Sequence, residues 1–243
     1  MQGGYPLRSS QGEVEVMTLK INRRALIATA GFGIGGLLLP GGQLAAQALL
    51  GLTGFTHNVA SGEPGPDSML LWTRYVSATG SPSKVRVEVS DTRDFAKIVT
   101  GGQMITGPWR DHTVKITVDG LQPGKFYWFR FIAPDGSISP IGRTKTLPVG
   151  KAAKFNIAIF SCSNLGFGEF NAYGHAAARD DIDLVLHMGD YIYEYGRGGY
   201  DIGAKFSARI FPAGEILTLA DYRLRYASYR ADPQLQAMHA NFP

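Results

Sequence analysis

The 243-residue chain has room for one large domain or two smaller ones, and its composition is that of a globular protein, with 44% hydrophobic, 11% aromatic and 18% charged residues. These proportions exclude an intrinsically disordered chain, a collagen-like chain and a coiled coil. The formal charge is only +4 and is spread along the chain, so there is no electrostatic footprint of a nucleic-acid-binding protein. Cys162 is the only cysteine, which excludes an intrachain disulfide.

Residues 1–48 have the features of an export signal. Arg23 and Arg24 precede a modest apolar stretch over residues 25–39, and an Ala-Gln-Ala sequence ends at residue 48. This pattern is typical of a signal peptide, and the paired arginines resemble the twin-arginine type, which exports folded proteins. We therefore expect export by the twin-arginine machinery to the periplasm or beyond, with either Met1 or Met17 as the start and no stable membrane span after cleavage. A retained membrane anchor is the alternative.

Residues 49–147 are predicted to form a β-sandwich. Apolar and polar residues alternate in short segments separated by turn residues, which is typical of half-buried strands. The predicted strands cover residues 69–74, 84–89, 113–118 and 125–132. Pro123 and Gly124 suit a type II turn, and Tyr127 then falls where immunoglobulin-like sandwiches place a corner tyrosine, so the segment resembles the fibronectin type III signature. The tryptophans of this region are predicted to be core or interface residues: Trp72, Trp109 and Trp128.

Residues 148–243 begin with a strand–helix–strand pattern. A buried strand is predicted over residues 155–160, a helix over residues 170–179 and a second strand over residues 182–188. Such a βαβ unit makes its two strands parallel. Cys162 and Asp190 directly follow the two strands, so we expect them to meet at the edge of the sheet where open α/β sheets bind ligands.

The residues at this edge are suited to a metal ion. Cys162 offers a thiolate, Asp190 a carboxylate that can bridge two ions, and Tyr193 a phenolate three residues later. A phenolate is held ionised at neutral pH by a strong Lewis acid, which favours Fe(III) over Mg²⁺ or Ca²⁺. The structural alternatives are a small buried cysteine, a simple Gly-Asp turn and a tyrosine that only packs.

Two other groups are predicted to have structural roles. His187 alternates with apolar residues in the second strand, which favours a hydrogen-bonded core histidine over a ligand. A helix is predicted over residues 220–230, where Arg223, Arg225 and Arg230 are expected on a solvated face, with a phosphate contact as the alternative.

Several separated motifs carry a resemblance to a known family. They are FTHNVASGEP (residues 55–64), LWTR (71–74), FSCSN (160–164), DDIDLVLHMGDYIYEY (180–195) and DYRLRY (221–226). In this order they resemble the PhoD-like alkaline phosphatase and phosphodiesterase family of the metallophosphoesterase superfamily. The resemblance implies a fibronectin III-like or immunoglobulin-like β-sandwich followed by an α/β metallophosphoesterase domain.

The same resemblance implies a hydrolase of phosphate mono- or diesters with one Fe(III) and Ca²⁺. By motif, the metal ligands are Cys162, Asp190 and Tyr193, with Asp190 bridging to calcium, and no residue of the chain is assigned as a catalytic nucleophile. The attacking group would be a metal-activated hydroxide.

The sequence departs from the family pattern in its extent. In the family, the point reached at residue 243 leads into another strand, which ends in Asp-Asp-His, and further ligands follow. We therefore expect the metallophosphoesterase domain of residues 148–243 to be incomplete and residues 1–243 alone to lack useful turnover. We also expect this part to expose the apolar sides of its strands and to be less stable than the sandwich.

Two other functions remain open. One is an exported β-sandwich that binds a partner, with a vestigial catalytic part. The other is an iron protein that is not a phosphatase, such as an oxidase.

Overall fold

The structure is a computed structural model and describes residues 51–200, 203 and 205–243, which lie in one compact unit. The predicted export signal lies outside these residues. Among the residues that the structure describes, no helix has the length and apolar character required to cross a membrane.

The first part is an antiparallel β-sandwich. One sheet has the order β1-β2-β5 and the other β4-β3-β6-β7. The strands are β1 (Gly54–Gly62), β2 (Met69–Val76), β3 (Ser83–Ser90), β4 (Ile98–Thr106), β5 (Thr113–Val118), β6 (Phe126–Ile132) and β7 (Gly142–Lys145). All strand pairs in both sheets are antiparallel, which confirms the predicted sandwich.

Period-two alternation positions the sandwich core. Val85, Val87 and Val89 of β3 are buried, whereas the intervening Lys84 and Arg86 are exposed. These inward side chains belong to a cluster that draws on both sheets, with Val59, Met69, Leu71 and Val114 from one sheet and Phe129 and Phe131 from the other.

The predicted tyrosine corner is present. The Tyr127 ring is buried, and its hydroxyl accepts a hydrogen bond of 2.8 Å from the backbone N–H of Gln122. Gly124 has a φ of +67°, the left-handed conformation that the turn before β6 requires. The corner ties the start of β6 to the preceding turn.

The second part contains the predicted βαβ unit. It consists of β8 (Ile157–Phe160), α1 (Asn171–Ala177) and β9 (Leu184–His187), and β8 pairs in parallel with β9. A second cluster of buried residues lies beside this sheet and includes Leu165, Phe170, Tyr173, Ile182, Tyr229 and Leu235. Two further helices follow, α2 (Leu219–Arg230) and α3 (Pro233–Asn241).

One face of the β8–β9 sheet is open to solvent, as the sequence predicts. Ile159 is 64% and Met188 is 70% exposed, and Ile157 and Leu186 are exposed beside them. Apolar side chains of a parallel pair are normally covered on both faces. This face therefore stays uncovered by the residues that the structure describes.

The prediction of a solvated arginine face on α2 is wrong for two of its three arginines. Arg225 and Arg230 are each only 1% exposed. The Arg225 guanidinium donates hydrogen bonds to backbone carbonyls, including those of Phe211 and Pro212. The planar, multidentate guanidinium of Arg225 satisfies several carbonyls at once while its methylene groups pack, whereas the buried Arg230 guanidinium donates to one carbonyl, that of His57, and lies over the Trp72 ring.

The same helix fastens the second part to the sandwich. Arg230 donates a 2.8 Å hydrogen bond to the carbonyl of His57 and lies 5.1 Å from the ring of Trp72. Trp72 also contacts Tyr226 edge-on, which confirms its predicted interface role, whereas the Trp109 side chain is 60% exposed, so a core role is wrong for it. Lys145 and Asp183 add an ion pair between β7 and the segment before β9.

His57 is expected to make stability depend on pH. It is 1% exposed, and burial, together with the positive charges of Arg74 and Arg230, lowers its pKa from 6.5 to about 4. At pH values between about 4 and 6.5, His57 therefore binds a proton in the unfolded chain but not in the folded chain. The free energy of unfolding then decreases as the pH falls.

We expect the free energy of unfolding in urea to decrease by about 3 kcal/mol from this group alone between pH 7 and pH 4. The His57→Gln variant should show a shallower decrease. Burial also lowers the pKa of His239, so part of the dependence should remain in the variant. Equal slopes in the two proteins would contradict the assignment to His57.

Candidate active site

The candidate site lies just beyond the carboxyl ends of β8 and β9. Two backbone hydrogen bonds continue the pairing past the strands. The N–H of Cys162 donates to the carbonyl of Gly189 at 3.1 Å, and the N–H of Ser163 donates to the carbonyl of Asp190 at 2.9 Å. Residues that are 28 positions apart in the sequence are thereby held side by side, as the βαβ argument predicts.

The backbone at this edge adopts uncommon conformations. Cys162 has a φ of +57° and Asp190 a φ of +52°, which are left-handed values for residues with a Cβ, and Gly189 has a φ of +137°. Non-glycine residues persist in such conformations only where the surrounding structure fixes them, and they concentrate at functional sites. Here the two backbone hydrogen bonds provide that restraint, and the turned chain directs both side chains to one point.

Three predicted site residues meet at one carboxylate oxygen. The Cys162 thiol and the Tyr193 hydroxyl each donate to Oδ2 of Asp190, and both distances are 3.3 Å. Cys162 and Asp190 are exposed, and Tyr193 is half-buried. Burial, followed by the neighbouring Cys162 and Asp190 groups, raises the pKa of the Tyr193 phenol.

This donor set fits a metal ion that accepts both sulfur and phenolate ligands. A thiol, a carboxylate and a phenol converge within hydrogen-bonding distance, and all three become anionic ligands when they lose their protons. Within the described residues, no group of three or more His, Cys, Asp and Glu side chains is placed to hold a metal ion, and the third member of this set is a tyrosine. The set supplies part of one coordination shell, and its exposed side leaves room for further ligands.

A hydrogen-bond network supports the site from behind. His187 Nε2 lies 2.9 Å from the Ser163 hydroxyl and 3.1 Å from the Tyr173 hydroxyl, and these two hydroxyls also contact each other. His187 is half-buried, and burial lowers its pKa, which agrees with the predicted hydrogen-bonded structural role. The network fixes Ser163, the residue that follows Cys162, and joins α1 to both strands.

An open cleft of about 320 Å³ lies next to Cys162, and the sequence gives little sign of it. Its lining includes Cys162, Asn164, Phe167 and Phe170. Asn164 belongs to the FSCSN motif, but Phe167 lies in a loop where no spacing marks it. The cleft places apolar and polar surface beside the three converging side chains.

Comparison with known proteins identifies the family. Residues 42–148 match the PhoD-like phosphatase, N-terminal domain, and residues 157–243 match the PhoD-like phosphatase. Alkaline phosphatase D of Bacillus subtilis (strain 168) is 42% identical over 198 residues, which are 78% of this chain and 33% of that protein. The solved structure of PhoD superposes with a TM-score of 0.69 at 38% identity, over 78% of this chain and 38% of that one.

The chain thus spans about a third of the length of these relatives. The two matched regions coincide with the sandwich and with the part that contains the βαβ unit, and together they leave unmatched mainly the segment before residue 42. The chain belongs to the PhoD-like phosphatase family.

Proposed function

We propose that this protein is an exported, metal-dependent phosphoesterase that hydrolyses phosphate mono- or diesters. The observation that carries the proposal is the convergence of Cys162, Asp190 and Tyr193 at the carboxyl ends of a parallel strand pair in a PhoD-like chain. The relatives' names, alkaline phosphatase D and PhoD, agree with this reaction class.

In this proposal Cys162, Asp190 and Tyr193 would hold Fe(III), and Asp190 would also serve as a ligand of Ca²⁺. When bound, these ions polarise phosphoryl oxygens and lower the pKa of the water that attacks phosphorus. The chain's own contribution is to orient the three ligands. The backbone bonds from Cys162 and Ser163 and the turn at Gly189 fix the direction of the side chains.

The packing of the sandwich argues against a separate partner-binding module. Arg230 and Trp72 join α2 to the sandwich, and the Lys145–Asp183 ion pair joins β7 to the segment that leads into β9. These contacts make the sandwich a support for the elements that carry the site. No contact of the described residues specifically favours the oxidase alternative.

Loss of any of the three ligands is expected to abolish hydrolysis. We expect Cys162→Ala, Asp190→Asn and Tyr193→Phe to lower kcat/KM by more than about 100-fold, because even residues that only orient metal ligands contribute about 10–100-fold. The assay uses the protein as its gene encodes it, with iron and calcium supplied, and p-nitrophenyl phosphate and bis(p-nitrophenyl) phosphate as substrates.

Matched controls for these variants are Asp180→Asn and Tyr222→Phe, which lie outside the site. Both should retain activity. Full turnover in Asp190→Asn, or turnover that survives removal of all metal ions, would contradict the proposed function.

Gly189 is expected to be a positioning residue. A Cβ at this position would meet no atom within 4 Å, so the effect of Gly189→Ala comes from its φ of +137° and not from a clash. We expect a loss of about 1–3 kcal/mol in stability and a fall in kcat/KM as the Asp190 side chain shifts.

The control for this variant is Gly62→Ala, which has equal space for a Cβ and no left-handed φ. It should change stability by less than about 1 kcal/mol. Equal effects of the two substitutions on stability and activity would show that the turn at Gly189 needs no glycine.

Export is the last part of the proposal. It is supported by the Arg23-Arg24 pair ahead of a weakly apolar segment. Replacing both arginines by lysine should cause precursor to accumulate in the cytoplasm, as seen by cell fractionation. Replacing Arg8 alone should leave export intact. If the double variant is exported as well as the wild type, the twin-arginine route is wrong.

A further inference from the structure

A group of aromatic rings includes the candidate metal ligand Tyr193. The ring centroids of Tyr193, Tyr195 and Tyr200 lie 5.2 to 6.3 Å from one another, with interplanar angles of 19° to 26°, so the three rings form a triangle in which each adjoins the other two. Phe167 then meets Tyr200 edge-on, at 5.9 Å and 74°. We refer to these four residues as the aromatic row, which runs from the triangle of tyrosines to Phe167. It connects the Asp190 carboxylate, which Tyr193 contacts, with the cleft lined by Phe167 and Cys162.

Most of the aromatic row is exposed. Tyr195 is 40%, Phe167 56% and Tyr200 60% exposed. Single exposed aromatic residues are ordinary, whereas these exposed rings contact one another and form a continuous surface, a feature of ligand-binding grooves. This surface adjoins the candidate metal site, because one of its rings belongs to Tyr193, whose hydroxyl contacts the Asp190 carboxylate.

The geometry of the outer rings suits a planar group. Tyr200 and Phe167 stand at 74° to each other and form a corner. A flat ring that stacks on one of them presents its edge to the other. Stacked and edge-to-face contacts are the two arrangements that aromatic pairs prefer. A short alkyl or polyol group has no face to stack in this way.

We infer that the aromatic row is the subsite for the organic group of the ester and that it selects phosphoesters whose organic group carries an aromatic ring, such as aryl or nucleoside esters. This inference rests on the proposed function, since it assumes that the phosphoryl group is bound at Cys162, Asp190 and Tyr193. The ring of the ester would then lie along Tyr200 and Phe167.

The test compares two phosphonates that cannot be hydrolysed. Phenylphosphonate carries a ring and methylphosphonate does not, and isothermal titration calorimetry gives the Kd of each with the protein as its gene encodes it, in iron and calcium. We expect the wild type to bind phenylphosphonate about ten-fold more tightly than methylphosphonate.

Variants test whether the aromatic row causes the preference for phenylphosphonate. Tyr200→Ala and Phe167→Ala should each reduce it, and the double variant should remove it. Tyr200→Phe retains a ring and should preserve it. Trp109→Ala removes an aromatic side chain that is 60% exposed, belongs to the sandwich part of the chain and is not a member of the row, and it should have no effect.

The possible outcomes separate the two proposals. Equal affinity for both phosphonates in the wild type, or a preference that survives in the double variant, overturns the subsite alone. A phenyl preference that depends on the row, in a protein that hydrolyses no ester, supports the subsite and contradicts the proposed function. Failure to bind either phosphonate contradicts both.

Discussion

The candidate site depends on the way two parallel strands are tied together just past their ends. The backbone bonds from Cys162 and Ser163 to the carbonyls of Gly189 and Asp190 extend the β8–β9 pairing into the loops. They hold residues with left-handed backbone conformations that a free loop would not keep. Because of this restraint, the thiol of Cys162 and the phenol of Tyr193 both lie within hydrogen-bonding distance of the Asp190 carboxylate. The β8–α1–β9 crossover separates Cys162 from the other two residues in the sequence.

The rest of the molecule supports that edge. Behind it, His187, Ser163 and Tyr173 join both strands to α1. Further away, the buried guanidinium of Arg230 reaches the carbonyl of His57 in the sandwich. The same guanidinium lies over the ring of Trp72, so two contacts of one side chain join α2 to the sandwich. The sandwich therefore acts as a support for the edge of the sheet.

Much of this was predictable from the sequence, because the informative signals are local. Period-two alternation predicts β3 and β5, Pro123-Gly124 predicts the tyrosine corner, and the βαβ order predicts that Cys162 and Asp190 meet. The buried Arg225 and Arg230 were not predictable, since their partners are carbonyls that only the tertiary fold brings near. For the same reason no spacing in the sequence reveals that Phe167 and Tyr200 are in contact, since 33 residues separate them.

The central claim is that Cys162, Asp190 and Tyr193 bind one ferric ion, and the visible absorption spectrum tests it most directly. Protein folded in the cell should show a tyrosinate-to-iron charge-transfer band. Tyr193→Phe should remove that band, whereas Tyr195→Phe, which alters a neighbouring ring, should keep it. A band that persists in Tyr193→Phe, or a colourless wild type with full metal-dependent activity, would contradict the account.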